Sequence, residues 1–87
     1  MAELLGNPLK KESVVTPNNV DAVLKPGYYT MVLEPITVGG VSGNYYGVMN
    51  VYESDTYIIQ VGYATTGIIM RHYRKNSSTW ANWMKIS

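Results

Sequence analysis

The sequence predicts a mainly β protein: a small antiparallel sheet or barrel-like meander of about five strands, with at most one short N-terminal helix. More than a third of the residues are Val, Ile, Thr, Tyr or Trp, the types that favour strands. Gly and Pro punctuate the apolar runs and give turn signals about every 8–12 residues. All Tyr and Trp residues lie between Tyr28 and Trp83, which indicates one packed body.

The length bounds the domain organisation. With 87 residues the chain is one small domain, and a chain this short buries only about 60–65% of its unfolded surface. A net charge of +1 and a hydrophobic content of 46% exclude a disordered chain. We interpret residues 1–16 as a lead-in arm or the end of an upstream region, and residues 17–87 as the β domain.

The elements follow from local signals taken in order along the chain. A short helical turn is predicted over 18–24, because Pro17 precedes it, Asn18 or Asn19 can cap it and Lys25-Pro26-Gly27 ends it. Residues 36–44 contain three glycines and are interpreted as a loop with room for a short edge strand at 36–38. The strands are predicted at 28–33, 46–53, 57–64, 68–74 and 80–86, with turns at 53–56 and 65–67 and a polar loop at 75–79.

The strands are apolar on both faces. In the strand 57–64, Tyr57, Ile59 and Val61 alternate with Ile58 and Gln60, and neither set is polar throughout. Apolar residues on both faces indicate burial on both faces. Because so short a chain cannot cover both faces with its own helices, the pattern predicts oligomerisation.

The sequence lacks the residues that several kinds of metal-binding and catalytic sites require. Without Cys and with one His, the chain offers no disulfide, thiolate site or structural zinc site. Glu53 and Asp55 flank a turn, and two carboxylates alone bind a cation weakly. His72 has no sequence context that supports a catalytic triad. The glycines of 39–43 precede neither a helix nor a Lys-Ser or Lys-Thr pair, so they do not indicate a phosphate loop. We therefore predict no enzyme activity, no cofactor and no metal.

Charge is segregated along the chain. Residues 26–70 contain three acids and no base, whereas residues 71–87 contain four bases and no acid. The basic end either meets an anionic ligand or pairs with the acids of neighbouring strands. The overall charge and a pI near 7.9 are a weak footprint for nucleic acid. The longest uncharged stretch, 35–52, is interrupted by glycines and asparagines, so we predict no membrane insertion.

Aromatic residues are the strongest functional signal. Most of them are expected in the core or in a subunit interface. Two adjacent pairs, Tyr28-Tyr29 and Tyr45-Tyr46, must point to opposite faces if they lie on strands, so one ring of each pair is expected to be exposed. Tyr45, beside Asn44 and the glycine-rich segment, is the preferred candidate for stacking on a sugar.

A set of short motifs resembles the knob domain of phage tail fibres and R-type pyocins. The set spans roughly residues 17–87 and is similar in order and spacing to the family's "PG-x-Y", "G-x-L-x-V", strand Gln, "Y-x-R" and closing "W-x-x-W". Arg71 is the preferred match for the Arg, although Met70 replaces the usual aromatic residue and Tyr73-Arg74 is a second match. The matching segments are Pro26–Thr30, Gly47–Tyr52, Ile58–Gln60, Gly67–Arg71 and Thr79–Ile86.

The resemblance implies a non-catalytic, usually trimeric module of the virion tail, made in a bacterial cytoplasm. Its partner would be a host cell-surface polysaccharide or another envelope receptor. The motif residues Gln60, Arg71, Trp80 and Trp83 would then be structural. Receptor contacts would come from the loops 36–46 and 75–79, with the glycan-binding candidates Asn44, Tyr45, Tyr46, Arg74, Lys75 and Asn76.

Two alternatives remain open at this point. In the first, the domain only caps or trimerises a fibre and binds no receptor. In the second, it is a small monomeric module that binds carbohydrate or protein and has no connection with phages.

Overall fold

The computed structural model describes residues 11–87, and they form one seven-stranded sheet with a single 3₁₀ turn. The order is β1-β2-β3-β4-β5-β6, and β7 also pairs with β5. Only β1 and β2 are parallel, so the predicted mainly β class with a small antiparallel meander is confirmed. The strands are β1 Lys11–Val15, β2 Gly27–Val38, β3 Val41–Glu53, β4 Tyr57–Ala64, β5 Gly67–Arg74, β6 Thr79–Trp80 and β7 Met84–Lys85, and the 3₁₀ turn is Val20–Ala22.

The first strand lies within the segment that the sequence indicated as a lead-in arm. Residues 1–10 of that arm lie outside the described residues, but β1 is an edge strand paired with β2, and Val15 is fully buried. Asn19 shapes the next turn: its Oδ1 accepts the Thr16 N–H at 2.8 Å and its Nδ2 donates to the Val14 carbonyl at 3.1 Å. The helical turn expected over 18–24 is reduced to the three residues Val20–Ala22, because β2 begins soon afterwards at Gly27.

The long hairpin β2–β3 replaces most of the loop predicted at 36–44, so the loop prediction is wrong, whereas the short strand allowed at 36–38 is present as the end of β2. Residues 36–38 and 41–44 continue the two strands, and only Gly39 and Gly40 form the turn. Their φ angles of +59° and +83° are those of a two-residue type I′ turn, which suits the twist of a hairpin. The register shifts between Leu33 and Ile36, and Val38 near the tip is buried with the core.

The C-terminal segment contains two short strands instead of the single strand predicted at 80–86. Both β6 and β7 pair with β5, and residues 81–83 leave the sheet edge between them. This departure allows Trp83 to enter the core.

We call the covered side of the sheet the core face. Tyr29, Met49, Gly62 and Ile69 lie in register across four strands on this face. A Cβ at Gly62 would approach the Met31 Sδ to 2.7 Å, so this position requires glycine for close packing. The buried hydrophobic residues are Val15, Val20, Tyr29, Met31, Leu33, Val38, Met49, Val51, Ile58, Ile69 and Trp83.

We call the opposite side the open face. Its side chains include Tyr28, Val48, Tyr52, Ile59, Tyr63, Met70 and Met84, and most of them are apolar or aromatic. Several are well exposed: Val48 is 44% exposed and Tyr63 is 43% exposed. The two sets of alternate apolar residues therefore differ within this chain: one set is buried on the core face, and the other is partly exposed on the open face.

Candidate binding cleft

The six glycan-binding candidates do not converge on one site. Asn44, Tyr45 and Tyr46 precede Gly47, which pairs with Ala64 at one end of β4, whereas Arg74 pairs with Tyr57 at the other end. The seven-residue separation along β4 corresponds to about 23 Å, at roughly 3.3 Å per residue. The structure thus separates the candidates into two groups.

In the first group, the exposed ring is that of Tyr46 and not that of Tyr45, which was the preferred candidate for stacking on a sugar. Tyr45 packs against the core cluster, because it pairs with Leu33 on the core face. Tyr46 is exposed on the open face, and Asn44 is exposed near the hairpin tip. Desolvation is the main cause that raises the pKa of the Tyr46 hydroxyl, and the hydrogen bond to Glu34 and the charge of that residue raise it further. The core therefore covers part of the Tyr45 ring that was expected to stack on a sugar.

In the second group, the bases have partners. The Lys75 Nζ lies 2.7 Å from the Glu53 Oε2, so this base pairs with an acid of a neighbouring strand. The Arg74 Nη2 donates to the Tyr57 hydroxyl at 3.4 Å, and this contact raises the pKa of the Arg74 guanidinium. Asn76 is exposed in the turn before β6. Glu53 offsets the charge of Lys75, whereas Arg74 keeps its positive charge beside a neutral hydroxyl.

Gln60 fastens the 3₁₀ turn to the sheet. Its Nε2 donates to the carbonyls of Val20 and Val23 at 2.9 and 3.0 Å, and its Oε1 accepts the Arg71 Nε at 2.8 Å. Gln60 and Arg71 are direct neighbours in the register of β4 and β5. A fully buried amide is satisfied in this way, and the 3₁₀ turn gains an anchor on the core face.

Arg71 lies between the two tryptophan rings. Its guanidinium carbon is 3.8 Å from the centroid of Trp80 and 4.6 Å from that of Trp83. The Nη2 donates to the Asp21 Oδ1 at 2.8 Å and to the Val20 carbonyl at 3.3 Å. Burial lowers the pKa of Arg71, and the hydrogen bond and charge of Asp21 oppose that shift. Cation–π contacts add to the stability of the charged form.

A cleft of about 490 Å³ opens beside this stack, between the β2–β3 turn and the C-terminal segment. We call it the tryptophan cleft. Trp80 is held by its own Nε1–H, which donates to the Asp21 carbonyl at 3.1 Å. Of the lining residues in the described part of the chain, only Arg71 is charged. The lining residues are Thr37, Gly39, Gly40, Arg71, Trp80, Ala81, Asn82 and Trp83.

The sequence reasoning missed this cleft as a site. It interpreted Gly39 and Gly40 as part of a mobile loop and gave both tryptophans a structural role only. Thr37 lies in the segment 36–46 from which receptor contacts were expected but was not named as a candidate, and Asn82 lies outside both expected loops. One available signal was the amide of Asn82 between two tryptophans, since aromatic and amide groups close together suit polar ring ligands.

The lining suits binding rather than bond cleavage. Aromatic faces, a hydroxyl, an amide and a guanidinium offer stacking and hydrogen bonds. Within residues 11–87, no group of three or more His, Asp or Glu side chains is placed to hold a metal ion. Over the same residues, no helix has the length and apolarity needed to cross a membrane.

Comparisons of the chain with protein-family models, with curated proteins and with solved structures give no match. The resemblance to tail-fibre knobs therefore remains a prediction from the motifs.

Proposed function

We propose that this chain is a knob domain of a phage, prophage or tailocin tail fibre that contributes to attachment to a bacterial surface glycan, without catalysis. Its place is the virion tail, and its working form is a homotrimer. The open face is the observation that carries this proposal. A small domain whose exposed sheet face is rich in Tyr, Val, Ile and Met has a surface suited to assembly.

The open face favours copies of the same chain as its cover. Val61, Met70 and Met84 are direct neighbours in one register row across β4, β5 and β7, and Asn50 of β3 lies between this group and Tyr28. Burial of apolar surface stabilises association by about 25 cal/mol per Å². In a fibre, three such faces around one axis would supply the cover that a single chain lacks.

Light scattering across a hundredfold concentration range tests the assembly. We expect a mass near three times 9.7 kDa. Val48→Lys, on the open face, should shift the mass towards the monomer, whereas Ser42→Lys, exposed near the hairpin tip, should leave the mass unchanged. A wild-type monomer throughout the range contradicts the trimer and favours a monomeric binding module.

The open face also supports a second candidate, a domain that trimerises or caps the fibre and binds nothing. Adsorption of the fibre to bacterial cells separates the two functions. Attachment by this domain requires that surface substitutions in it reduce adsorption while the trimer persists. Loss of the trimer on deleting the domain, with adsorption retained elsewhere in the fibre, favours the structural role.

A further inference from the structure

We propose that the tryptophan cleft binds an acidic sugar: a pyranose ring stacks on a tryptophan and its carboxylate bonds to Arg71. The inference rests on the proposed attachment function and names its site and the chemical class of its ligand. It moves the glycan site away from the residues expected from the sequence.

Arg71 carries the argument for a carboxylate. It is only 6% exposed, yet it lines the cleft. Its Nε and Nη2 have acceptors, but no acceptor among residues 11–87 bonds to Nη1, which carries two N–H donors. Because Arg71 lines the cleft, an oxygen of a ligand bound there can accept these hydrogen bonds.

The charge balance favours an anion over a neutral ligand. Among residues 11–87, no carboxylate lines the cleft. The one acid paired with Arg71 is Asp21, whose side chain is largely exposed, so solvent screens that pairing. Hydrogen bonds from a guanidinium to a carboxylate are charge-assisted and stronger than those to a neutral hydroxyl.

The remaining lining suits a ring with hydroxyl groups. Trp80, which is half-buried, offers indole surface for the apolar side of a pyranose, and the buried Trp83 lines the cleft beside it. The Thr37 hydroxyl and the Asn82 amide each donate and accept hydrogen bonds, as sugar hydroxyls require. A volume of about 490 Å³ lies at the lower end of the range for small-molecule sites, which fits a short saccharide.

The β2–β3 turn leaves space in this region. A Cβ built on Gly39 or Gly40 would meet no atom within 4 Å. Gly39 has a φ of +59°, which Asn also adopts, and Asn-Gly is a preferred type I′ pair. Gly39→Asn therefore adds a side chain to a cleft-lining position and keeps the turn.

Tryptophan fluorescence reports on the cleft directly, because the chain has two tryptophans and both line it. The experiment titrates the full chain with D-glucuronate, D-glucose and acetate at constant ionic strength. Glucuronate should give a saturable change in emission. Glucose, which lacks the carboxylate, should bind at least about tenfold more weakly, and acetate, which lacks the ring, should give no saturation.

Two variants keep the test independent of folding. Gly39→Asn should weaken glucuronate binding at least about tenfold, and Asn82→Ala, at an exposed position, should weaken it by a smaller factor. Ser42→Ala, outside the lining, is the matched control and should bind as the wild type does. Unchanged circular dichroism and melting confirm that each variant is folded.

Equal binding of glucose and glucuronate overturns the inference, and so does the absence of any saturable change. Both results are distinguishable from failure of the proposed function, which trimer mass and cell adsorption measure. If a fibre with Gly39→Asn adsorbs fully to cells, the attachment function still holds, but the tryptophan cleft is not its site.

Discussion

The two faces of the sheet are built from alternate residues of the same strands, yet they differ in what covers them. Tyr29 is 5% exposed on the core face, and its neighbour Tyr28 is 36% exposed on the open face. The cover of the core face comes from segments outside the long strands, namely the 3₁₀ turn, the hairpin tip and Trp83. Burial in this domain is therefore decided by connecting segments, because the strands are apolar on both sides.

The placement of polar residues sharpens this difference. Gln60 and Arg71 are buried on the core face, whereas Asn50 and His72 lie on the open face among Val, Ile, Met and Tyr side chains. The two polar residues are buried because their hydrogen bonds hold the 3₁₀ turn and because the tryptophan rings stack on Arg71. The buried polar groups attach the cover of the core face, and apolar side chains of the open face stay exposed in the single chain.

The largest effect is expected from removing part of the cover. Trp83→Ala should lower the free energy of unfolding by about 3–5 kcal/mol, since it empties a buried site and removes one of the rings beside Arg71. Trp80→Ala, at a half-buried ring, should cost less. Chemical denaturation followed by circular dichroism measures both. Equal losses would show that the two rings contribute alike.

A matched pair of methionines compares the faces directly. Met49 is fully buried on the core face, and Met84 is 55% exposed on the open face. Met49→Ala should cost about 2–5 kcal/mol, because it leaves a cavity. Met84→Ala should change the stability of the monomer by no more than about 0.5 kcal/mol, as is usual for surface positions.

The same pair tests the open face as an interface. If copies of the chain cover it, the effect of Met84→Ala should grow with protein concentration, because association contributes to stability by mass action. The effect of Met49→Ala should not depend on concentration in this way. A concentration-independent effect at Met84 would place that residue outside the interface.

Part of this architecture could be predicted from the sequence. The segments 28–33, 46–53, 57–64 and 68–74 were expected to be strands, and all of them lie in β2 to β5. Local propensity and turn residues were sufficient there. The motif resemblance also singled out Gln60, Arg71, Trp80 and Trp83, whose side chains meet in the structure as one cluster.

The rest depends on contacts between distant residues. β1 pairs in parallel with β2, and no local turn specifies that pairing. The length of the hairpin was missed because a cluster of glycines favours a loop locally, whereas cross-strand pairing extends both strands to a two-residue turn. The tryptophan cleft unites residues from 37–40 with residues 80–83, and these two segments are far apart in the sequence.

The smallest effect compares adjacent tyrosines. The Tyr29 hydroxyl donates to the Lys25 carbonyl just before β2. Tyr29→Phe removes that donor from a partly buried acceptor and should cost about 0.5–1.5 kcal/mol in the free energy of unfolding. Tyr28→Phe, on the open face, keeps the ring and should change stability by less than about 0.5 kcal/mol. Equal costs in denaturation would mean that the two faces bury their tyrosine hydroxyls alike, which would contradict an open face in the isolated chain.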